Sequence, residues 1–298
     1  MSIRSTILTF LYRQFVRNRS AGLSVEEILV KVNKVADRVR PIPPNIQLTP
    51  VNIGALPGEW TDAGGTTDDV VFYIHGGGYC TMTLKSFRHV AWSMAEKINA
   101  RVLSFDYRLA PEHPFPAAFD DALAVYRWLL ETGVSPEKMV VVGDSAGGGL
   151  ALAMLLAVRD SGLPLPRCAT LVSPWADLTL ATSETRPNAT RDSMIHCDVL
   201  NALAPAYYGE YSPRDPRISP VFGDLHGLPP ILIQVGSNEV LRHDAEAIAR
   251  GIEASAGSVQ LEVWKGMPHV WHAIDFIPES AKAISQLARF SRANLARN

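Results

Sequence analysis

The sequence predicts an α/β fold, and three observations predict it. Short β-rich runs alternate with helical stretches after residue 65. The runs are nearly continuous in apolar residues, as strands buried on both faces of a parallel sheet require. The stretches between them carry apolar residues at helical spacing, so helices should flank that sheet. A chain of 298 residues does not demand two domains, and its length supports a substantial core.

In chain order, residues 1–45 read as helical and end in the proline cluster RPIPP. The apolar part of the first stretch, ILTFL, is too short for a signal-peptide core, and no small-residue cleavage site follows. It reads as an amphipathic helix that covers part of the molecule, with attachment to a membrane surface as the alternative. The expected strands are VVFYIHG (from Val70), RVLSFDYR (from Arg101), MVVVGD (from Met139), CATLVSP (from Cys168), ILIQVG (from Ile231) and LEVWKG (from Leu261). PAAFDDALAVYRWLLETG sets Phe119, Leu123, Tyr126 and Leu130 at helical spacing and stops at Gly133. PESAKAISQLARF puts Ile284, Leu287 and Ala288 on one stripe. Residues 180–215 are polar and then aromatic, with no clear strand, and break the rhythm as residues 1–45 do. Both segments are expected to lie over one face of the sheet.

Charge and cysteines bound the function classes. The net charge is −2 with no basic block. That argues against nucleic acid and gives no polybasic reason to sit on anionic membranes. No run reaches 18 apolar residues, so stable membrane insertion is not expected. Cys80, Cys168 and Cys197 are widely spaced and odd in number, which fits a reducing, cytoplasmic setting.

The chemistry is concentrated in two glycine clusters. GDSAG (Gly143–Gly147) follows a strand and precedes the helical AGGGLALAMLLAVRD. Chance gives a G-x-S-x-G pattern in roughly one chain in ten of this length, so context decides. At a tight strand-to-helix turn, flanking glycines relieve backbone crowding and the serine is lifted into a cleft. Ser145 then sits at a helix N-terminus, where free N–H groups favour negative charge. The segment lacks the endings of a phosphate loop. The second cluster, YIHGGGYC (Tyr73–Cys80), also ends a strand. Glycines there let backbone N–H groups approach an oxyanion, and losing one such donor costs about 3–4 kcal/mol. The expected donors are Gly76 and Gly77, with Ala146 as the third.

A serine nucleophile needs a base, and the base needs an orienting carboxylate. His269, in WKGMPHVWH, follows the last β-rich run and so reaches the same sheet edge as Ser145; His272 is the rival. No histidine pair has HExxH spacing, so no metal is expected. The acid is expected just past ILIQVG, at Glu239, with Asp244 as the alternative.

These motifs resemble the α/β-hydrolases of the hormone-sensitive-lipase-like group, the bacterial carboxylesterases with HGGG and GDSAG motifs. The resemblance rests on HGGGY (His75–Tyr79), DYRLAPEHPFPAAFDDA (Asp106–Ala122), GDSAGG (Gly143–Gly148), SPWADL (Ser173–Leu178), GLPPILIQVGSNEVL (Gly227–Leu241) and GMPHVW (Gly266–Trp271). It covers roughly residues 65–298. The order Ser145, Glu239, His269 is that of the group. The resemblance implies a mostly parallel sheet with a helical cap, ester hydrolysis through an acyl-enzyme, and no cofactor. The implied layout is cap helices over residues 1–45 and a catalytic domain over 46–298, with a cap insertion at about 180–215. The group's acid is usually Asp, followed by a leucine and then another Asp. Here those positions hold Glu239, Leu241 and His243.

The substrate expectation is a small ester of short to medium acyl chain, or a compact lactone. Tyr79, Trp175, Tyr207, Tyr208 and Trp271 are candidates for its pocket. The resemblance also implies a homodimer through an edge strand near residues 260–266. The competing readings are an amidase and a catalytically silent small-molecule-binding protein on the same fold.

Overall fold

The computed structural model describes residues 1–36, 40–65, 67–179, 186 and 188–296. An eight-stranded sheet forms its centre. The strands are β1 (Gln47–Ile53), β2 (Leu56–Asp62), β3 (Val70–Ile74), β4 (Arg101–Phe105), β5 (Met139–Asp144), β6 (Cys168–Val172), β7 (Ile231–Gly236) and β8 (Val259–Trp264). Their order is β1-β2-β4-β3-β5-β6-β7-β8. The pairs β1–β2 and β2–β4 are antiparallel, and the rest are parallel. All six runs read as strands form the parallel part.

Each central strand is apolar throughout because helices cover both faces. Val70, Phe72 and Ile74 of β3 join one core, and Val71 and Tyr73 join the other, as a period of two requires. Helices α4 (Ala117–Glu131), α5 (Ala146–Asp160) and α7 (Arg242–Ala254) pack on the first face. Helices α3 (Arg88–Met94) and α8 (Pro278–Leu295) pack on the second, α8 through Ile284, Leu287 and Ala288. Among the described residues no helix is long and apolar enough to cross a membrane.

The hairpin β1–β2 was not legible in the sequence pattern. Pro50 and Pro57 interrupt it, and β1 is mostly exposed. Pro50 lies in the edge strand β1 and Pro57 at the start of β2, places where a missing ladder hydrogen bond is tolerated. At the other edge lies β8, the strand on which the dimer expectation rests.

Three helices sit above the carboxyl ends of the strands: α1 (Ile3–Phe15), α2 (Val25–Ala36) and α6 (Cys197–Tyr208). Of the expected cap segments, residues 37–39, 180–185 and 187 lie outside the described residues.

The strand order fixes where a site can form. From β3 the chain goes to β4 on one side, and β5 then lies on the other. The loops after β3 and β5 therefore diverge and leave a crevice at their carboxyl ends, where open α/β sheets bind ligands. Both glycine clusters fall there.

Candidate active site

Ser145 sits on the turn between β5 and α5, with φ 53° and ψ −124°. A non-glycine residue at such a φ is strained. The neighbours make room for it. A side chain at Gly143 would collide with the backbone of Gly147 and Gly148, and one at Gly147 with the carbonyls of Ile74 and His75. Helix α5 is buried along nearly its whole length, and a side chain at Gly149 would strike the carbonyl of Trp175. The glycines thus let the turn form and let α5 press against the loops beside it.

Ser145 Oγ lies 2.8 Å from His269 Nε2, and His269 Nδ1 lies 2.9 Å from Glu239 Oε2. All three residues are buried. The other carboxylate oxygen of Glu239 accepts from Ser173 Oγ at 2.9 Å and from the N–H of Gly236. Gly236 has no side chain to occupy the space that the Glu239 carboxylate and the Met267 carbonyl fill. A glutamate is thus seated where its group usually has an aspartate.

Burial works against a charged His269, but the hydrogen bond and charge of Glu239, then the charges of Asp192 and Asp144, carry its pKa above the usual histidine value. Asp144 is itself buried, which pushes its carboxyl up to about 6 against the hydrogen bond from Tyr73 Oη.

The rivals are engaged elsewhere. His272 Nε2 lies 2.7 Å from Gln234 Oε1, and burial pushes its pKa down to about 3. Asp244 is buried in α7, pairs with Arg186 at 2.7 Å, and accepts the N–H groups of Ala176 and Asp177. Neither touches Ser145 or His269 in a hydrogen bond among the described residues.

The β3 loop is placed differently from expectation at one position. Gly76 lies against Asp144, and a side chain there would strike that carboxylate. Gly77 and Gly78, both at positive φ, line the cavity instead. Among the described residues, no hydrogen bond engages the N–H of Gly77, Gly78 or Ala146. His75 braces the loop by stacking on Tyr107 at 4.4 Å.

Above Ser145 is a cavity of about 270 Å³. Its walls are Ile28 and Val32 of α2, Val199, Leu200 and Leu203 of α6, and Met194 and Ile195 before α6. Of the five aromatic candidates only Trp175 lines it. Tyr79 and Tyr207 stack on each other at 3.9 Å in the main core, and Tyr208 packs against that core. Trp271 is buried with Leu8 and Met267 in a separate cluster. Bare aromatics gave no sign of which way they face. The aliphatic wall was missed because its helical spacing reads equally well as ordinary core.

Two further residues were not singled out from the sequence. Asn188 Nδ2 donates to the carbonyls of Ser237 and Glu239, at 3.1 and 3.2 Å. Asp192 Oδ2 accepts from the N–H of Val240 at 2.8 Å, and its Oδ1 accepts from Met194 and Ile195. The segment that walls the cavity thereby grips the loop of Glu239 from both sides.

Residues 71–273 match the family model of the α/β hydrolase fold. An acetyl-hydrolase of Streptomyces hygroscopicus is 41% identical over 243 residues, covering 81% of each chain. An esterase of Acinetobacter venetianus is 34% identical over 256 residues, covering 85% of this chain and 84% of its own. The crystal structure of EstE5 soaked with p-nitrophenyl butyrate superposes with a TM-score of 0.93 at 36% identity, covering 100% of both chains. An esterase of the bacterial hormone-sensitive lipase family superposes with a TM-score of 0.90 at 36% identity, covering 99% of both.

Proposed function

Since the chain belongs to the α/β hydrolase fold family, we propose that its cavity hydrolyses carboxylic esters through Ser145 and an acyl-enzyme. The chain is a carboxylic ester hydrolase, as its relatives are. One observation carries the mechanism: an unbroken hydrogen-bonded path from Ser145 through His269 to Glu239 at the floor of an apolar cavity.

His269 Nε2 takes the Ser145 proton as Oγ attacks the ester carbonyl. Glu239 holds the Nδ1–H tautomer and stabilises the imidazolium that forms. The oxyanion is met by the free N–H groups of Gly77, Gly78 and Ala146, which cost no reorganisation at the moment of reaction. His269 then protonates the departing alcohol, and water repeats the route on the acyl-enzyme.

The cavity selects for size and for apolar character. Its volume and aliphatic walls suit esters of short to medium acyl chains, and compact lactones in the same range. Hydrolysis of p-nitrophenyl acetate, butyrate, octanoate and palmitate tests this. The rate should peak at the short chains and fall by about 10⁴- to 10⁶-fold in Ser145→Ala. A folded Ser145→Ala enzyme that still turns over would end the assignment.

A further inference from the structure

Helix α1 has two apolar faces, and the protein covers one of them. Ser5 and Leu8 are buried, Leu8 against Met267 and Trp271, and Tyr12 lines the cavity. On the opposite side Ile3, Ile7 and Phe10 follow one another at i, i+4 and i+7, and Phe15, in the last turn, is exposed to one side of that ridge. They are 80%, 54%, 62% and 56% exposed. A helix that is apolar on both faces is expected to be buried on both. Phe276, also exposed, adjoins Ile3 and Arg4 and extends the ridge. Exposed apolar surface gathered in this way marks an interaction site.

Charge says what would cover it. The first 25 residues hold Arg4, Arg13, Arg17 and Arg19 and no acid, in a chain of net charge −2. Scattered in sequence, these arginines form no basic block; the helix and the turn after it bring them to the ridge. Arg4, Arg13 and Arg17 donate to the carbonyls of Phe276, Thr190 and Ala189, and Arg19 lies over the Phe15 ring. Among the described residues none of the four has a carboxylate partner within 4.0 Å. The acid beside the ridge, Asp275, is already paired with Arg40; a second copy packed on the same face would set the four arginines against one another. An apolar ridge flanked by cations is instead the form of a helix that lies in a lipid interface.

We propose that α1 is an interfacial helix that seats the protein on an anionic lipid bilayer. Ile3, Ile7, Phe10 and Phe15 enter the boundary between headgroups and acyl chains, and the arginines meet the headgroup phosphates. Because Tyr12 on the inner face lines the cavity, the bound surface lies one helix diameter from it. The inference goes beyond ester hydrolysis and does not depend on it.

Sedimentation with vesicles tests it, using phosphatidylcholine alone or mixed with phosphatidylglycerol, at low and high salt. The purified chain should bind the mixed vesicles and not the neutral ones, and salt should weaken binding. Ile7→Ser with Phe10→Ser should weaken it at least tenfold. Arg4→Gln with Arg19→Gln should weaken it roughly fivefold for each arginine removed. None of these four side chains lines the cavity, so hydrolysis of soluble p-nitrophenyl butyrate should be unchanged, and thermal melting reports the fold independently. Ser145→Ala should sediment like the parent, which separates this result from the ester reading. No binding to mixed vesicles, or equal binding to neutral ones, overturns the proposal. So does a concentration-dependent dimer that Ile7→Ser with Phe10→Ser dissolves.

Discussion

The floor of the cavity and its roof are built on different principles. The floor is fixed by backbone: Ser145 on a strained turn, glycines where side chains would collide, and His269 and Glu239 on loops at one sheet edge. The roof is fixed by side-chain packing, with aliphatic residues of α2 and α6 meeting across about 270 Å³. Backbone constraints admit few residue types, whereas packing admits any apolar residue of fitting volume. Chemistry should therefore respond sharply to changes in the floor, and selectivity should respond mildly to changes in the roof.

The sharpest way to break this contrast is Glu239→Gln. The amide keeps the volume but cannot stabilise the imidazolium, so kcat should fall by about 10³- to 10⁴-fold with KM little changed. A small loss in steady-state kinetics would remove Glu239 as the acid. Next comes Asp192→Asn, which touches floor and roof together. Its amide cannot accept at both the Val240 and the Met194–Ile195 ends, and kcat should drop about 10- to 100-fold.

Asp192→Asn also carries a pH signature. In the proposed mechanism His269 must be neutral to take a proton, and its pKa is held above the usual 6.5, so the acid limb of kcat/KM should lie above that pH. The carboxylates facing the imidazole are Glu239, Asp192 and Asp144. Removing one negative charge favours the neutral ring, so the limb should move to lower pH. A limb that stays in place would mean that Asp192 acts on loop position alone.

Val199→Ala sharpens the other half of the comparison. A wider roof should shift preference toward longer acyl chains by about tenfold or less, read as the ratio of kcat/KM for octanoate to butyrate. The smallest effect on rate belongs to Asp244→Asn. Weakening the buried pair with Arg186 should destabilise the fold by up to about 3 kcal/mol in denaturant titration while the folded enzyme keeps its kcat.

The same contrast explains what could be read in advance. The six parallel strands and the meeting of Ser145, His269 and Glu239 at one sheet edge were legible because each leaves a mark in residue type: apolar runs, glycines beside a serine, a histidine and an acid after strand ends. Which two of the three glycines in HGGG face the cavity was not legible, because it depends on how the loop turns after β3. Gly76 falls to Asp144, and Gly77 and Gly78 fall to the cavity. Tyr79, Tyr207 and Trp271 were misplaced for a related reason. An aromatic residue satisfies a core as readily as a pocket, and only packing decides. The hold of Asn188 and Asp192 on the Glu239 loop leaves no local pattern, since those partners lie some fifty residues away.

The grip of Asn188 and Asp192 on the Glu239 loop limits how freely such enzymes can be recombined. Consider a roof transplanted from a relative that holds other residues at these two positions. The Glu239 loop would then lose its moorings even though Ser145, His269 and Glu239 were all unchanged. A working chimera would have to exchange residues 188–195 and 237–240 as one inherited unit, although they are far apart in the gene.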